Sequence, residues 1–96
     1  MTTQNQQFTD LVQRIASYYG LSVDDLKGPK RTQEISSARQ IAMYLAKQEF
    51  GRTLERIGQY FGGKNHASVI YSIKTLEERM KEDDGMKKVL KQFITS

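Results

Sequence analysis

The chain has 96 residues, no cysteine, one histidine and a formal net charge of +4. This length indicates one domain with a modest core, and no apolar run approaches the roughly 20 residues that span a bilayer. The absence of cysteine excludes a disulfide framework and a thiolate metal site. The basic charge is concentrated in residues 27–74, which hold nine basic residues against three Glu. Such a zone favours a polyanionic partner, although a lysine-rich solvated surface explains it equally well.

Helical periodicity runs through the chain, and no segment alternates with the period of two that a strand requires. The first apolar stripe consists of Phe8, Leu11, Val12, Ile15 and Tyr19. Gly20 is predicted to end this helix. A short second helix follows in "SVDDL", where Ser22 and an acid three residues later form a capping box. Gly28 and Pro29 break it and begin the polar, basic loop "KGPKRTQE".

Two further helices are predicted after this loop. Ser36 or Ser37 is the expected N-cap of the third helix, and Gly51 is its expected end. Thr53 is the expected N-cap of the fourth helix. The pair Gly62-Gly63 closes that helix and gives a tight turn.

The remaining sequence predicts a long helix and a short one. Asn65 is the expected N-cap of the long helix, whose core-facing side carries Val69, Ile73, Leu76 and Met80. Asp84 and Gly85 begin the last helix. The expected fold is therefore all-α, a compact bundle of five to six short helices. Residues 1–96 form a single domain, with residues 1–7 expected to lie outside its ordered part.

The stretch "FGGKNHAS" holds the single histidine, His66. One histidine without cysteine cannot supply the three or four ligands that a metal site usually needs. The stretch lacks the spacing of a phosphate-binding P-loop, and no nucleophile elbow is present. An enzyme is therefore the weakest hypothesis, and we expect no catalytic residue, metal or cofactor.

Two helices joined by a tight glycine turn indicate a helix-turn-helix over about residues 53–80. In such a unit the second helix enters the DNA major groove with its N-terminus first. The first turn of that helix holds Asn65, His66, Ala67 and Ser68. Polar side chains here can bond base edges, and an Ala methyl can pack on a thymine methyl. Lys64 and Lys74 flank the turn as candidate phosphate contacts. Alternatively, Asn65 only caps the helix and His66 lies on the surface.

The basic loop permits a second contact with DNA. A flexible basic arm beside a helix-turn-helix can place an Arg in the minor groove, where narrow tracts concentrate negative potential. Arg31 is the candidate for this role. A solvated surface loop without a ligand is an equally good interpretation of the same residues.

The stretch "IGQYFGGKNHASVIYSI" resembles the signature of the C-terminal DNA-binding domain of the bacterial chromosomal replication initiator DnaA. The preceding stretch "YYGLSVDDLKGPKRTQEISSARQIAMYLAKQ" is also similar to that family. The resemblance implies a Trp-repressor-like helical domain with a helix-turn-helix. It also implies a cytoplasmic, nucleoid-associated protein that binds duplex DNA as a monomer at initiator boxes of about nine base pairs in the replication origin.

The resemblance further implies which residues contact DNA. The implied base contacts are Asn65, His66, Ala67, Ser68 and Ser72 in the major groove and Arg31 in the minor groove. The implied phosphate contacts are Arg39, Gln40, Lys47, Thr53, Leu54, Lys64 and Lys74. Two positions depart from the family pattern. Asn65 stands where Asp is usual, and Ala67 stands where Thr or Ser is usual, so a different preferred sequence is expected.

No Walker motif is present in these 96 residues. The chain is therefore expected to bind DNA without ATP hydrolysis, with no membrane and no small-molecule substrate as partner. It is either a fragment of a larger initiator or a free-standing regulator that competes for the same sites. The remaining alternative is an initiator-like helical adaptor that binds protein.

Overall fold

The computed structural model describes residues 3–94, and their regular secondary structure is entirely helical. In chain order the helices are α1 (Gln4–Tyr18), α2 (Val23–Lys27), α3 (Gln33–Gln48), α4 (Leu54–Tyr60), α5 (His66–Glu82) and α6 (Asp84–Ile94). The expected all-α class with five to six helices is confirmed. None of these helices has the length and apolar character needed to cross a membrane.

The beginning of α1 differs from the expectation for residues 1–7. Residues 4–7 are helical, because the Thr3 hydroxyl accepts the backbone N–H of Gln6 at 3.1 Å and so caps the helix. Residues 1 and 2 lie outside the described part of the chain. The first helix therefore begins earlier than the apolar stripe indicates.

The core is arranged around α3, which packs against α1, α2, α4 and α5. Ala38, Ala42 and Ala46 are fully buried on α3 and recur every fourth residue. Small side chains at this spacing lie on one helical face and allow neighbouring helices to approach closely. The central helix thus holds its neighbours in fixed positions, including α5 and the loop that precedes α3.

The N-cap of α3 is Thr32, and the predictions of Ser36 or Ser37 were wrong. The Thr32 hydroxyl accepts the backbone N–H of Ile35 at 3.2 Å. Glu34 then falls in the first turn, where an acid complements the helix dipole. The loop between α2 and α3 is therefore residues 28–32, shorter than the sequence predicted. Ser37 lies inside the helix, and this residue is only 6% exposed.

The predicted N-caps of α2, α4 and α5 are confirmed. Ser22 and Asp25 form the capping box of α2, with both reciprocal bonds present. Thr53 caps α4 and Asn65 caps α5. The predicted helix-turn-helix is therefore formed by α4, a turn of residues 61–65, and α5.

Candidate nucleic-acid interface

The turn between α4 and α5 is held by the carbonyl of Gly58. This oxygen accepts the backbone N–H groups of Gly63 and Lys64, each at 2.9 Å. A Cβ at Gly58 would lie 2.0 Å from the Lys64 carbonyl oxygen, so only glycine permits this close approach of α4 to the start of α5. Gly62 and Gly63 both have positive φ, of 90° and 80°. Glycine adopts this left-handed region without the steric penalty that a Cβ brings.

The N-cap and the first three residues of α5 present four side chains to solvent. Asn65, His66, Ala67 and Ser68 are all exposed. The Asn65 side-chain oxygen accepts the backbone N–H of Ser68 at 2.8 Å, so Asn65 caps the helix as well as facing outward. The opposite side of α5 is buried through Val69, Ile73 and Leu76. This amphipathic arrangement fixes which side of the helix is available to a ligand.

An open groove of about 890 Å³ runs beside this helix. Its walls are the loop of residues 28–32, the first turns of α3, and the start of α5. The predicted contact residues that line it are Arg31, Arg39, Gln40, Lys64, Asn65, Ala67, Ser68 and Ser72. The structure therefore brings together residues that are separated by up to 41 positions in the sequence.

Five predicted contact residues lie outside the walls of this groove. His66 borders a shallower depression shared with Glu55 and Gln59, on the neighbouring side of α5. Lys47 and Lys74 are exposed on α3 and α5. The remaining two are the exposed Thr53 and the half-buried Leu54, at the start of α4. Their contacts with DNA stay predictions.

Arg39 is only 7% exposed, and its guanidinium is bound by carbonyls of α2 and of the α2–α3 loop. Its Nε donates to the Leu26 carbonyl at 2.9 Å. Its Nη2 is within hydrogen-bond distance of the carbonyls of Asp25, Gly28 and Lys30, at 3.4, 3.0 and 3.2 Å. Burial, and then the nearby charge of Arg31, lower the pKa of Arg39. In this geometry Arg39 holds the loop that carries Arg31, and its predicted phosphate contact stays a prediction.

Lys64 connects the same loop to the helix-turn-helix. Its ammonium donates to the Gly28 carbonyl at 3.3 Å and to the Phe61 carbonyl in the turn. Burial lowers the pKa of Lys64, and the charges of Arg39 and Arg31 lower it further. Within residues 3–94 none of these three cations forms an ion pair with a carboxylate. The groove therefore carries positive charge without a paired carboxylate in the described part of the chain, which favours an anionic ligand.

Tyr71 is the clearest groove residue that sequence analysis missed. This residue is 72% exposed and lines the groove beside Ser72. It lies one turn after Ala67, four residues along, and this spacing places the two side chains on the same helical face. The signal that was missed is this spacing from the first turn, which places Tyr71 on the side of α5 that lines the groove.

The surface can offer hydrogen bonds and positive charge. Its small side chains at the start of α5 allow this helix to approach the base edges of duplex DNA closely. No group of three or more His, Asp or Glu side chains is placed to hold a metal ion in the described chain. The predicted base-contact residues surround the start of one exposed helix, and the cations lie beside them. These features together fit the geometry of a helix-turn-helix on duplex DNA.

Comparison with known proteins shows the family to which this chain belongs. The model of the bacterial dnaA protein helix-turn-helix matches residues 8–76. The chromosomal replication initiator protein DnaA of Leifsonia xyli subsp. xyli is 47% identical over 74 residues, which cover 77% of this chain and 16% of that protein. DnaA of Thermodesulfovibrio yellowstonii is 39% identical over 93 residues, which cover 95% of this chain and 21% of that protein.

A solved structure agrees with these matches. The crystal structure of a DNA replication initiation factor has a TM-score of 0.79 at 32% identity, over 91% of this chain and 26% of that one. The fold and the exposed α5 surface define a DNA-binding domain of the helix-turn-helix class. The chain belongs to the bacterial DnaA helix-turn-helix family, whose members act in replication initiation. It spans about a sixth to a fifth of the length of the two DnaA relatives.

Proposed function

We propose that this chain recognises specific duplex DNA sites, the initiator boxes of a bacterial replication origin. In this proposal the start of α5 enters the major groove, and Arg31 reaches the adjacent minor groove. The chain acts as a binding module without catalysis, as one copy per asymmetric site of about nine base pairs. Its place is then the nucleoid in the bacterial cytoplasm.

The observation that carries the proposal is the shared groove between the α2–α3 loop and the start of α5. Arg31, Arg39 and Lys64 bring three positive charges to it, and none of them forms an ion pair with a carboxylate within residues 3–94. Short polar side chains on the exposed helix lie directly beside those charges. Phosphates are attracted by the cations, and base edges are read by short side chains that allow the helix to approach closely.

The proposed contacts fall into two classes. The residues that read bases are Asn65, His66, Ala67, Ser68, Ser72 and Arg31. The residues that position the phosphate backbone are Gln40, Lys47, Thr53, Leu54, Lys64 and Lys74, together with Arg39. Exposed cations such as Lys47 suit phosphate, because they neutralise charge without sequence preference. Thr53 and Leu54 would contribute through backbone N–H groups at the start of α4.

Selection from randomised duplexes at fixed salt tests the proposal. An enriched motif of about nine base pairs would support box recognition. The affinity for that motif should fall steeply with salt, with a log–log slope of about −4 to −5 if about four to six phosphates are neutralised. A chain that enriches no motif, and whose partner binding is insensitive to salt, would instead be the helical adaptor that binds protein.

A further inference from the structure

Arg79 joins α5 to α3 at a point away from the proposed base contacts. It lies in the last turns of α5, about 20 Å along the helix axis from His66. Its Nη1 donates to the Ser37 hydroxyl and to the Gln40 side-chain oxygen, each at 3.1 Å. Both acceptors belong to α3, so one guanidinium fixes two side chains of the neighbouring helix.

The bond to Arg79 determines which end of the Gln40 amide faces the groove. A guanidinium has only donors, so the amide oxygen of Gln40 must face Arg79. The amide nitrogen, with its two protons, then points away from Arg79. Gln40 also lines the groove beside Arg39. Without this bond the Gln40 amide could turn either its oxygen or its NH₂ towards the groove. The bond leaves the NH₂ facing the groove, and a phosphate oxygen can accept a hydrogen bond from this group.

Ser37 gives the guanidinium a second anchor. Ser37 is a buried residue, and its hydroxyl accepts from the same Arg79 Nη1 as the Gln40 side-chain oxygen. Arg79 forms no ion pair with any acid among residues 3–94, so no carboxylate competes for its donors. Its orientation is therefore fixed by the two α3 acceptors.

We infer that Arg79 is a positioning residue of the DNA-binding surface. It holds the Gln40 amide so that the NH₂ group donates to a DNA phosphate, while Arg79 itself stays out of contact with the DNA. The inference rests on the proposed function, because it assigns a positioning role within the same surface. It adds a residue that supports the surface from the far end of α5.

A double-mutant cycle on affinity for the selected duplex tests this inference. Arg79→Met and Gln40→Ala are each expected to weaken binding by about three- to tenfold, as one lost hydrogen bond does. The double variant should bind more weakly than Gln40→Ala only by the small factor that Lys81→Met shows for the loss of one α5 charge, because Arg79→Met and Gln40→Ala otherwise remove the same donor from the phosphate. Arg79→Lys keeps a donor and the charge, and its smaller loss should also vanish in the Gln40→Ala background.

Lys81→Met is the matched control. It removes an exposed cation two residues later in α5, which points to solvent rather than to α3. Its loss of affinity should multiply with that of Gln40→Ala, since it acts only through charge. If the whole loss of Arg79→Met, and not only the charge effect measured with Lys81→Met, multiplied with that of Gln40→Ala, the inference would be overturned and the proposed function would stand. If the unchanged chain bound no duplex, both proposals would fall.

Discussion

Gly62 lies so close to the main chain of Lys27 that a Cβ on the glycine would be 2.1 Å from the Lys27 carbonyl oxygen. Lys27 ends α2, and Gly62 belongs to the turn before α5. The contact therefore joins the backbone beside the Arg31 loop to the backbone of the helix-turn-helix. The bond from Lys64 to Gly28 reinforces the same junction. The two parts proposed to read DNA are thus held as one body.

Gly62→Ala is expected to disturb this junction. Gly63→Ala is the matched control, because Gly63 has a similar positive φ but no atom within 4 Å of the position that a Cβ would take. The control should lose about 1 kcal/mol of unfolding free energy from the left-handed backbone alone. Gly62→Ala should lose a further ~1–3 kcal/mol from overpacking against main chain, measured by urea unfolding. Equal losses of unfolding free energy in Gly62→Ala and Gly63→Ala would contradict this prediction. They would mean that the backbone near Lys27 shifts to accommodate the Cβ without loss of stability.

Arg39→Met should release the α2–α3 loop. The carbonyls that accept from its guanidinium would lose their partner, which costs about 2 kcal/mol or more in stability. The contribution of Arg31 to DNA affinity should fall as well, because a mobile loop no longer holds Arg31 in position for the minor groove. The measurement is the loss caused by Arg31→Ala, compared between the wild-type and Arg39→Met backgrounds.

Arg52→Met is the control for the loop experiment. Arg52 donates to the Asn5 side chain at 2.8 Å and lies over the ring of Phe8, away from the groove. Its removal should lower stability while leaving the contribution of Arg31 intact. An undiminished Arg31 contribution in the Arg39→Met chain would contradict the role of Arg39 in placing the loop.

The helices and the exposed start of α5 could be predicted because they depend on local patterns. Apolar residues three and four apart define the buried faces, and Ser22, Thr53 and Asn65 cap their own helices. The third helix shows the limit of local patterns. Serine is a common N-cap residue, but Ser37 lies inside α3, where its hydroxyl accepts a hydrogen bond from Arg79.

The inward-facing cations could not be predicted, because their partners are distant in the sequence. The Lys64 bond spans 36 positions to Gly28, and the Arg79 bond spans 39 positions to Gln40. A lysine or arginine in a basic segment looks like a solvent-facing charge until the fold shows the carbonyls around it. Arg39 illustrates this, because its guanidinium, which the sequence predicts as a phosphate contact, donates to carbonyls of α2 and of the α2–α3 loop.

His66→Ala should reduce discrimination more than affinity for DNA in general. The side chain is exposed at the first position of α5, so its removal should leave stability nearly unchanged. A lost base contact of roughly 1–3 kcal/mol lowers the preference for the selected box over scrambled DNA by about 5- to 150-fold. Lys47→Ala should instead weaken both duplexes about equally and lower the salt slope by about 1. An intact box preference in His66→Ala would contradict its major-groove role.

The lowered pKa of Lys64 predicts a pH dependence of binding. Burial is the main cause, followed by the charges of Arg39 and Arg31. A bound phosphate favours the charged ammonium and raises this pKa, so affinity should fall as the pH rises through the lowered value. Kd measured from about pH 7 to 10 should show this loss in the wild type and a shallower one in Lys64→Met. If Kd changed with pH equally in the wild type and in Lys64→Met, Lys64 would be excluded as a phosphate contact.

The lowered pKa of Lys64 changes folding stability with pH in the direction opposite to its effect on DNA affinity. Lys64 in the unfolded chain keeps the ordinary pKa of 10.5, so between the lowered value and 10.5 the unfolded state binds more protons. The contribution of this group to stability therefore rises with pH across that window. The unfolding free energy of the wild type should rise relative to that of Lys64→Met over the same pH range, which separates the folding effect from the binding effect.

Asn65→Asp is expected to change the preferred base without changing the fold. The amide oxygen of Asn65 accepts from Ser68 N–H at 2.8 Å, so its NH₂ is the group free to face DNA. A donor selects purine N7, guanine O6 or thymine O4, whereas the second oxygen of an aspartate accepts from a cytosine amino group. Because Asp and Asn cap helices about equally well, thermal stability should be retained.

Selection from randomised duplexes measures this change. The Asn65→Asp chain is expected to shift one base pair of the enriched motif towards cytosine and leave the others unchanged. Asn65→Ser is the control, because Ser keeps the cap but offers no amide, so the preference at that base pair should weaken rather than switch. An unchanged motif in Asn65→Asp would mean that Asn65 only caps α5, and that base recognition begins at His66.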